Sequence, residues 1–144
     1  MAKSSNQKLK LLYLLKFLMQ CSDEEHPLST AQLIEELGRK GISAERKSIY
    51  ADIEALCQFG IDIVQVKGKN GGYYIGARDF EIPELKLLVD SVQSSKFITQ
   101  EKTYKLISKI ENLASVYDGQ LLQRQVYVSN RVKSMNESIE SSII

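Results

Sequence analysis

Apolar and polar residues recur with two different periods along the first half of the chain. Between residues 7 and 59 the apolar positions recur every three to four residues, which is typical of amphipathic helices. After Gly60 the period changes to two, over residues 61–66 and again over 73–75, which predicts a β-hairpin. The three segments with helical spacing are about 7–20, 30–37 and 44–59.

Capping residues and glycines mark the ends of these helices. Ser29 and Gln32 have the spacing of a capping box, so the second helix is predicted to begin after Ser29. Gly38 is predicted to end it, because glycine readily takes the backbone conformation that follows a helix. Ser43 is expected to cap the third helix and Gly60 to close it.

The helical spacing also predicts which side chains lie inside. Lys8, Lys10 and Lys16 fall outside the apolar face of the first helix. Cys57 falls on the apolar face of the third helix and is expected to be an inert core thiol. The predicted inward residues are Leu11, Leu12, Leu14, Leu15 and Leu18, then Leu33, Ile34 and Leu37, then Ile49, Ile53, Leu56 and Cys57.

A second, helical region is predicted after a boundary at residues 76–82. Pro83 fits the first turn of a helix that runs to Ser95, and Thr99 can cap a longer helix that runs to about Tyr117. The predicted inward residues are Leu85, Leu88, Val89 and Val92 in the first of these helices, and Tyr104, Ile107, Ile110, Leu113 and Ala114 in the second.

The last part of the chain has a weaker pattern. Gly119 is expected to break the helical spacing. Alternation near residues 123–129 predicts a strand, and Asn136 can cap a short last helix.

The charge balance limits the classes of function. The chain has 19 Lys and Arg residues against 18 Asp and Glu residues, a net charge of +1. This excludes a protein that coats nucleic acid through its overall charge, but it allows a local basic face. No apolar run approaches the length of a membrane span, the first residues do not resemble a signal peptide, and two cysteines are too few for a disulfide scaffold. We therefore expect a cytoplasmic protein that does not bind membranes.

Three helices followed by a glycine-tipped hairpin are the plan of a winged helix-turn-helix domain. In that plan the third helix lies in the major groove of DNA, and its first turn faces bases and phosphates. Arg46 has a planar fork that suits guanine, while Lys47, Ser48 and Tyr50 can contact phosphates. Ile49 is predicted to face the core, so that its basic neighbours can face outward.

The hairpin tip and the start of the second helix are expected to complete this contact. Lys67, Lys69 and Asn70 lie at the tip, where they can bind the flanking DNA backbone. Ser29 and Thr30 open the second helix and can add a phosphate contact. Double-stranded DNA is therefore the expected partner.

Each of these features also has an ordinary structural interpretation. Arg46 and Lys47 can belong to a solvated helix turn, and a hairpin tip with lysines can be a simple solvated turn. Tyr50 can pack on the wing, and Tyr73 and Tyr74 fit a strand and core better than base stacking. A winged helix that contacts another protein instead of DNA is the alternative function.

No catalytic or metal-binding constellation stands out in the sequence. His26 is the only histidine, and the neighbouring residues Asp23, Glu24 and Glu25 are typical of a solvated acidic loop. No pairing of a nucleophile with a base is evident. We expect a protein that is not an enzyme and that uses no cofactor and no metal.

Three sequence stretches resemble the N-terminal domain of bacterial WYL-domain transcriptional regulators, which are often labelled DeoR-like. These stretches are RKSIYADIEAL at residues 46–56, FGIDI at 59–63 and GGYY at 71–74. Residues 84–113 are similar to the helical connector of that family, and residues 131–137 to the stretch that leads into its sensor domain. Ala51 stands where the family commonly has arginine, so one DNA contact of the family is missing here.

The resemblance implies a division of labour along the chain. Residues 1–77 would form the winged helix-turn-helix domain, and residues 78–144 a helical dimerisation and connector region. The family's sensor domain is expected to be absent, since its Trp-Tyr-Leu signature is missing and the chain has no tryptophan. The implied function is sequence-specific binding of double-stranded DNA by a homodimer, as part of a transcription regulator.

Overall fold

The computed structural model describes residues 2–123 of the chain, with the side chains of residues 6–123. The chain forms two compact units that divide between Arg78 and Asp79. The described part is mainly helical, with a small antiparallel hairpin after the third helix, which confirms the predicted winged-helix arrangement followed by helices. The helix predicted from Asn136 and all but the first residue of the strand predicted at 123–129 lie outside the described residues.

The first unit consists of α1 (Ala2–Cys21), α2 (Thr30–Arg39), α3 (Arg46–Phe59), β1 (Ile63–Val66) and β2 (Gly72–Ile75). α1 packs against α2 and β2, α2 packs against α3, and α3 contacts β1. Apolar side chains from the three helices and β2 meet in one core. This core contains Leu14, Phe17, Leu18, Leu33, Leu37, Ile42, Ile49, Ile53, Leu56, Tyr73 and Ile75.

The hairpin is joined to the segment that precedes α2. β1 and β2 pair antiparallel, with Ile63 opposite Ile75. Leu28 pairs with β2 in a single antiparallel bridge. Its N–H donates to the carbonyl of Tyr73, and its carbonyl accepts from the N–H of Tyr73, at 2.8 Å each. Gly72 is required at this junction, since a Cβ there would lie 2.3 Å from the carbonyl oxygen of Leu28.

α2 begins as predicted but ends later. The N–H of Gln32 donates to Ser29 Oγ at 3.1 Å, and the N–H of Ser29 donates to Gln32 Oε1 at 2.8 Å, which confirms the capping box. The prediction that Gly38 ends the helix is wrong, because α2 continues to Arg39. The left-handed conformation needed for the turn occurs instead at Gly41, whose φ is 76°.

α3 begins later than predicted. Ser43 does not cap it: the helix starts at Arg46, and its N-cap residue Glu45 makes no side-chain capping hydrogen bond. The buried side chain of Ile42 anchors the connection in the core, and the backbone stays extended up to Glu45. Gly60 ends the helix as predicted, with a φ of 120°.

Three predicted positions of side chains in this unit are wrong. Lys10 was expected on the polar side of α1, but it is only 1% exposed. Leu12 was expected inside and is 64% exposed, because it lies about 200° around the helix from Lys10. Cys57 is exposed rather than buried. The buried faces are formed by Lys10, Leu14, Phe17 and Leu18 in α1, and by Ile49, Ile53 and Leu56 in α3.

The described part of the second unit contains α4 (Ile82–Ser94), α5 (Gln100–Glu111) and a further helical segment at residues 116–123. Pro83 lies in the first turn of α4, and the Thr99 side chain caps α5, both as predicted. α4 packs against α5. The core of this unit contains Leu85, Val89, Ile107, Ile110, Ala114 and Leu122.

The long helix predicted to reach Tyr117 is interrupted. α5 ends at Glu111, and Ser115 Oγ accepts a hydrogen bond from the N–H of Asp118 at 3.2 Å, which caps the next helical segment. Gly119 lies inside that segment and does not break it. Leu88, Tyr104 and Leu113 were predicted to be inside but are well exposed. The buried faces of α4 and α5 instead include the polar residues Gln93, Thr103 and Glu111.

Candidate nucleic-acid interface

The outer side of α3 presents a small basic and aromatic surface at its first turn. Arg46 and Lys47 are exposed, and Tyr50 is 46% exposed. At about 100° per residue these three positions span a sector of about 100° around the helix. Ile49 is fully buried on the core side, as predicted. The structure therefore brings these three predicted DNA-contact residues together.

The chemistry of this surface suits a phosphate or the edge of a base. Arg46 offers a planar, two-pronged donor and Lys47 a compact positive charge. The first N–H groups of α3 are also directed outward from the start of the helix, and no side chain of the N-cap residue Glu45 occupies them. This end of α3 can thus bind an anion through both side chains and backbone.

The hairpin tip carries the second group of predicted contacts. Lys67, Lys69 and Asn70 are all exposed in the turn between β1 and β2. Gly68 takes a φ of 114°, which an L side chain rarely adopts. The tight turn leaves both lysine charges in solvent, where they are available to a phosphate backbone.

The start of α2 contributes less than the sequence predicts. The hydroxyl oxygen of Ser29 already caps α2, and the side chain of Thr30 hydrogen-bonds the hydroxyl of Tyr73. Both residues are half-buried. Their side chains therefore stabilise the fold.

Ser48 also has a partner inside the protein. Its hydroxyl is hydrogen-bonded to the ammonium group of Lys10, and its side chain is half-buried. The structure places Ser48 on the α1 side of α3, apart from the exposed Arg46, Lys47 and Tyr50. A phosphate contact by Ser48 was expected from the sequence, but the geometry assigns this side chain to the contact between helices.

Tyr50 of α3 interacts electrostatically with Tyr73 of β2. Burial raises the pKa of Tyr73 above its ordinary value, the nearby Tyr50 raises it further, and the hydrogen bond with Thr30 lowers it. Tyr73 is 6% exposed, so it is a strand and core residue as predicted. The hydrogen bond between Thr30 and Tyr73 links the start of α2 to β2, and Tyr50 exposes almost half of its surface.

An ion pair behind the surface was missed by sequence reasoning. Lys10 Nζ lies 2.7 Å from Asp52 Oδ2, in a position where the ammonium is almost fully buried. Lys10 precedes Leu14 and Phe17 at helical spacing, and Ser48 and Asp52 are four residues apart on α3. This spacing was the available signal, but a lysine in an apolar stripe is ordinarily assigned to solvent.

Other chemistry is sparse in the described residues. Among residues 2–123, no three His, Cys, Asp or Glu side chains converge as metal ligands do. His26 Nδ1 lies 2.7 Å from Asp23 Oδ1 within their own loop. Burial and the nearby Glu36 raise the pKa of the Cys21 thiol, which disfavours the reactive thiolate. No helix over the same residues is both long and apolar enough to cross a membrane.

Comparison with known proteins adds one finding for the first unit. Residues 12–69 match the family model of the FokI D3 domain. No curated protein and no solved structure is significantly similar to the chain. The match runs from α1 to the hairpin tip and includes every predicted DNA-contact residue except Asn70. This part of the chain is therefore similar to a winged-helix-like domain that binds DNA.

Proposed function

We propose that the chain binds double-stranded DNA in a sequence-dependent manner, with α3 in the major groove and the hairpin on the flanking backbone. One observation carries this proposal. Arg46, Lys47 and Tyr50 are exposed together on the first turns of α3, inside the region that is similar to the FokI D3 domain. Such a cluster at the start of the third helix fits the way this fold docks on DNA.

The exposed residues divide into two kinds of contact. Arg46 would read a base edge, since its fork matches guanine O6 and N7. Lys47 and Tyr50 would contact phosphates beside the base that Arg46 reads. Lys67 and Lys69, at the hairpin tip, would contact phosphates of the flanking DNA backbone. Phosphate contacts position the protein, whereas the arginine supplies discrimination between sequences.

The overall charge of +1 supports a small interface of this kind. A protein that binds DNA through bulk charge would carry many more basic residues, and its affinity would depend little on sequence. Here a few basic side chains are concentrated at two sites of one fold, the start of α3 and the hairpin tip.

We further propose that the chain acts in transcription regulation as a homodimer. The stretches at residues 46–56 and 84–113, which resemble WYL-domain regulators, support this role. The second unit supports it too, because several of its large apolar side chains face solvent, among them Leu87 at 67% and Phe97 at 99% exposed. A second copy would cover such side chains and place two recognition helices about 34–36 Å apart, or a multiple of that distance.

The test is direct binding of the full chain to random-sequence duplex DNA at two salt concentrations. Affinity should fall steeply as salt rises, because each phosphate contact releases counterions from the DNA. Single-stranded DNA of equal length serves as the control and should bind less tightly. A chain that binds neither, or binds without salt dependence, would favour the alternative role as a protein-interaction module.

A further inference from the structure

A buried lysine lies directly behind the proposed DNA-reading turn. Lys10 of α1 is 1% exposed, and its ammonium contacts two groups of α3, the hydroxyl of Ser48 and the carboxylate of Asp52. The distance from Lys10 Nζ to Asp52 Oδ2 is 2.7 Å, which is that of a close ion pair. These contacts bridge α1 and α3, and Lys10 and Ser48 are 38 residues apart in sequence.

Stability alone does not explain a buried lysine at this position. A buried ammonium loses its hydration, and a well-packed apolar side chain at the same position is often at least as stable. The start of a helix also carries a partial positive charge, which repels a cation placed there. The Asp52 carboxylate, one turn further along α3, compensates for both effects.

Ile49 anchors the first turn of α3 in the core, but no side chain caps it. Its N-cap residue Glu45 makes no side-chain capping hydrogen bond, and Ser43 lies outside the helix. Lys10 reaches Ser48, which lies in that turn between the exposed Lys47 and the buried Ile49. Lys10 thus joins α1 to α3 at the turn that carries Arg46 and Lys47.

We propose that Lys10 is a positioning residue for DNA recognition, which sets the orientation of the first turn of α3 through Ser48 and Asp52. This inference rests on the proposed function. Buried ion pairs can fix one arrangement of helices at the expense of stability, and the contacts of Lys10 fit that use. Lys10 itself is covered by protein, so it cannot touch DNA.

Two properties separate this role from a direct contact and from simple stabilisation. A residue that orients α3 changes the preference for one DNA sequence over another, whereas the salt dependence stays the same because no phosphate contact is lost. A residue that only stabilises the fold changes the melting temperature of the protein and leaves the preference of the folded molecules unchanged.

The experiment compares the full chain with Lys10→Met and with the double variant Lys10→Met/Asp52→Leu. The double variant replaces both charges with apolar groups, so it tests the proposal even if an unpaired Asp52 prevents the single variant from folding. Lys16→Met is the matched control, since Lys16 lies on the same helix and is exposed. For each variant, affinity for a selected duplex and for a scrambled duplex is measured at several salt concentrations. Hydrogen exchange is measured at the N–H groups of residues 49–52, which bond the carbonyl groups of residues 45–48 at the start of α3.

We expect both Lys10 variants to lose about ten-fold in the ratio of selected to scrambled affinity, with an unchanged salt slope. Exchange at residues 49–52 should become faster, and Lys16→Met should leave the affinity ratio and the exchange unaltered. Ratios that stay within about two-fold of the parent chain would overturn the proposal. A salt slope reduced by about 1 would also overturn it, because Lys10 would then contact DNA.

A parent chain with no preference for any duplex would refute the proposed function instead. Hydrogen exchange would then still test whether Lys10 holds the first turn of α3 in place. Unchanged exchange at residues 49–52 in both Lys10 variants would show that Lys10 does not hold the first turn of α3.

Discussion

Leu28 and Tyr73 exchange two backbone hydrogen bonds of 2.8 Å, which join the segment before α2 to strand β2. The hydroxyl of Tyr73 bonds the side chain of Thr30, at the first residue of α2. Backbone and side chain of one residue therefore tie the hairpin to the start of α2. In the proposed complex, this junction fixes where the hairpin tip lies relative to α3.

Gly72→Ala should disrupt that junction. A Cβ at Gly72 would lie 2.3 Å from the carbonyl oxygen of Leu28 and 2.7 Å from the backbone nitrogen of Ser29. Backbone atoms cannot move aside without breaking the hydrogen bonds of Leu28, so we expect a loss of about 1–3 kcal/mol in the free energy of unfolding. Denaturant unfolding followed by circular dichroism measures it.

Gly38→Ala is the matched control for this substitution. Gly38 lies inside α2, and no atom lies within 4 Å of a Cβ placed there. Alanine should stabilise the helix by about 0.5–1 kcal/mol, because glycine loses more backbone entropy on folding. Equal effects of the two substitutions would contradict the described junction.

Ser29→Ala should remove the cap of α2. The Ser29 hydroxyl is the acceptor for the N–H of Gln32, and its loss leaves that donor unpaired, at a cost of about 1 kcal/mol. Ser43→Ala is the control, since Ser43 is exposed and caps no helix. Thermal unfolding of both variants should show a lower melting temperature for Ser29→Ala alone; a comparable loss in Ser43→Ala would mean that Ser43 caps α3 after all.

These two serines illustrate what could be predicted from the sequence. The capping box of Ser29 involves residues three apart, so its signal is local and the prediction is confirmed. Ser43 also precedes a helical pattern, but the neighbouring Ile42 is buried in the core, and residues 42–45 are not helical. A capping preference is worth less than burial of a large apolar side chain.

Local sequence patterns also cannot predict contacts between segments that are distant in the sequence. Lys10 is buried because α3 supplies Ser48 and Asp52, and nothing near Lys10 in the sequence announces these partners. The outward direction of Arg46, Lys47 and Tyr50 followed from the helical period once Ile49 was assigned to the core. The helical period did not predict the position of Ser48, since a small hydroxyl side chain is compatible with either the solvent side or the core side of the helix.

Glu111→Gln should change how stability depends on pH. Glu111 is 8% exposed, and burial raises its pKa above the ordinary 4.5, while the hydrogen bond from Gln123 Nε2 lowers it. Because the folded-state pKa is the higher one, the native state binds more protons than the unfolded state, and stability falls as pH rises through that value. Glutamine removes this fall, so the melting temperature at pH 7 should rise relative to the parent, with little difference at pH 4.

Glu101→Gln provides the comparison for that result. The Glu101 side chain is 80% exposed and pairs with Lys105 at 3.2 Å on the surface of α5. Exposed pairs of this kind contribute about 0.3–0.5 kcal/mol, so this variant should be slightly less stable at pH 7. A Glu111→Gln variant that lowers the melting temperature at pH 7 would show that its charge is not penalised by burial.

Lys69→Ala should weaken the binding of every duplex to a similar extent. Lys69 is exposed at the hairpin tip, where its charge is proposed to contact a phosphate. Loss of one such contact should reduce the slope of log affinity against log salt by about 1. Lys102→Ala is the control, because Lys102 is an exposed lysine of α5. An equal change of the salt slope in both variants would contradict a specific phosphate contact by the hairpin tip.

The most direct test of the central claim is selection of bound duplexes from a random-sequence pool by the parent chain and by Arg46→Ala. The parent should enrich a defined motif, and Arg46→Ala should relax the preference at a guanine in that motif and lose about 1–3 kcal/mol in affinity for it. An enriched motif in two symmetric halves would support the homodimer. No enrichment by the parent, or an identical motif and affinity for Arg46→Ala, would contradict sequence reading by the first turn of α3.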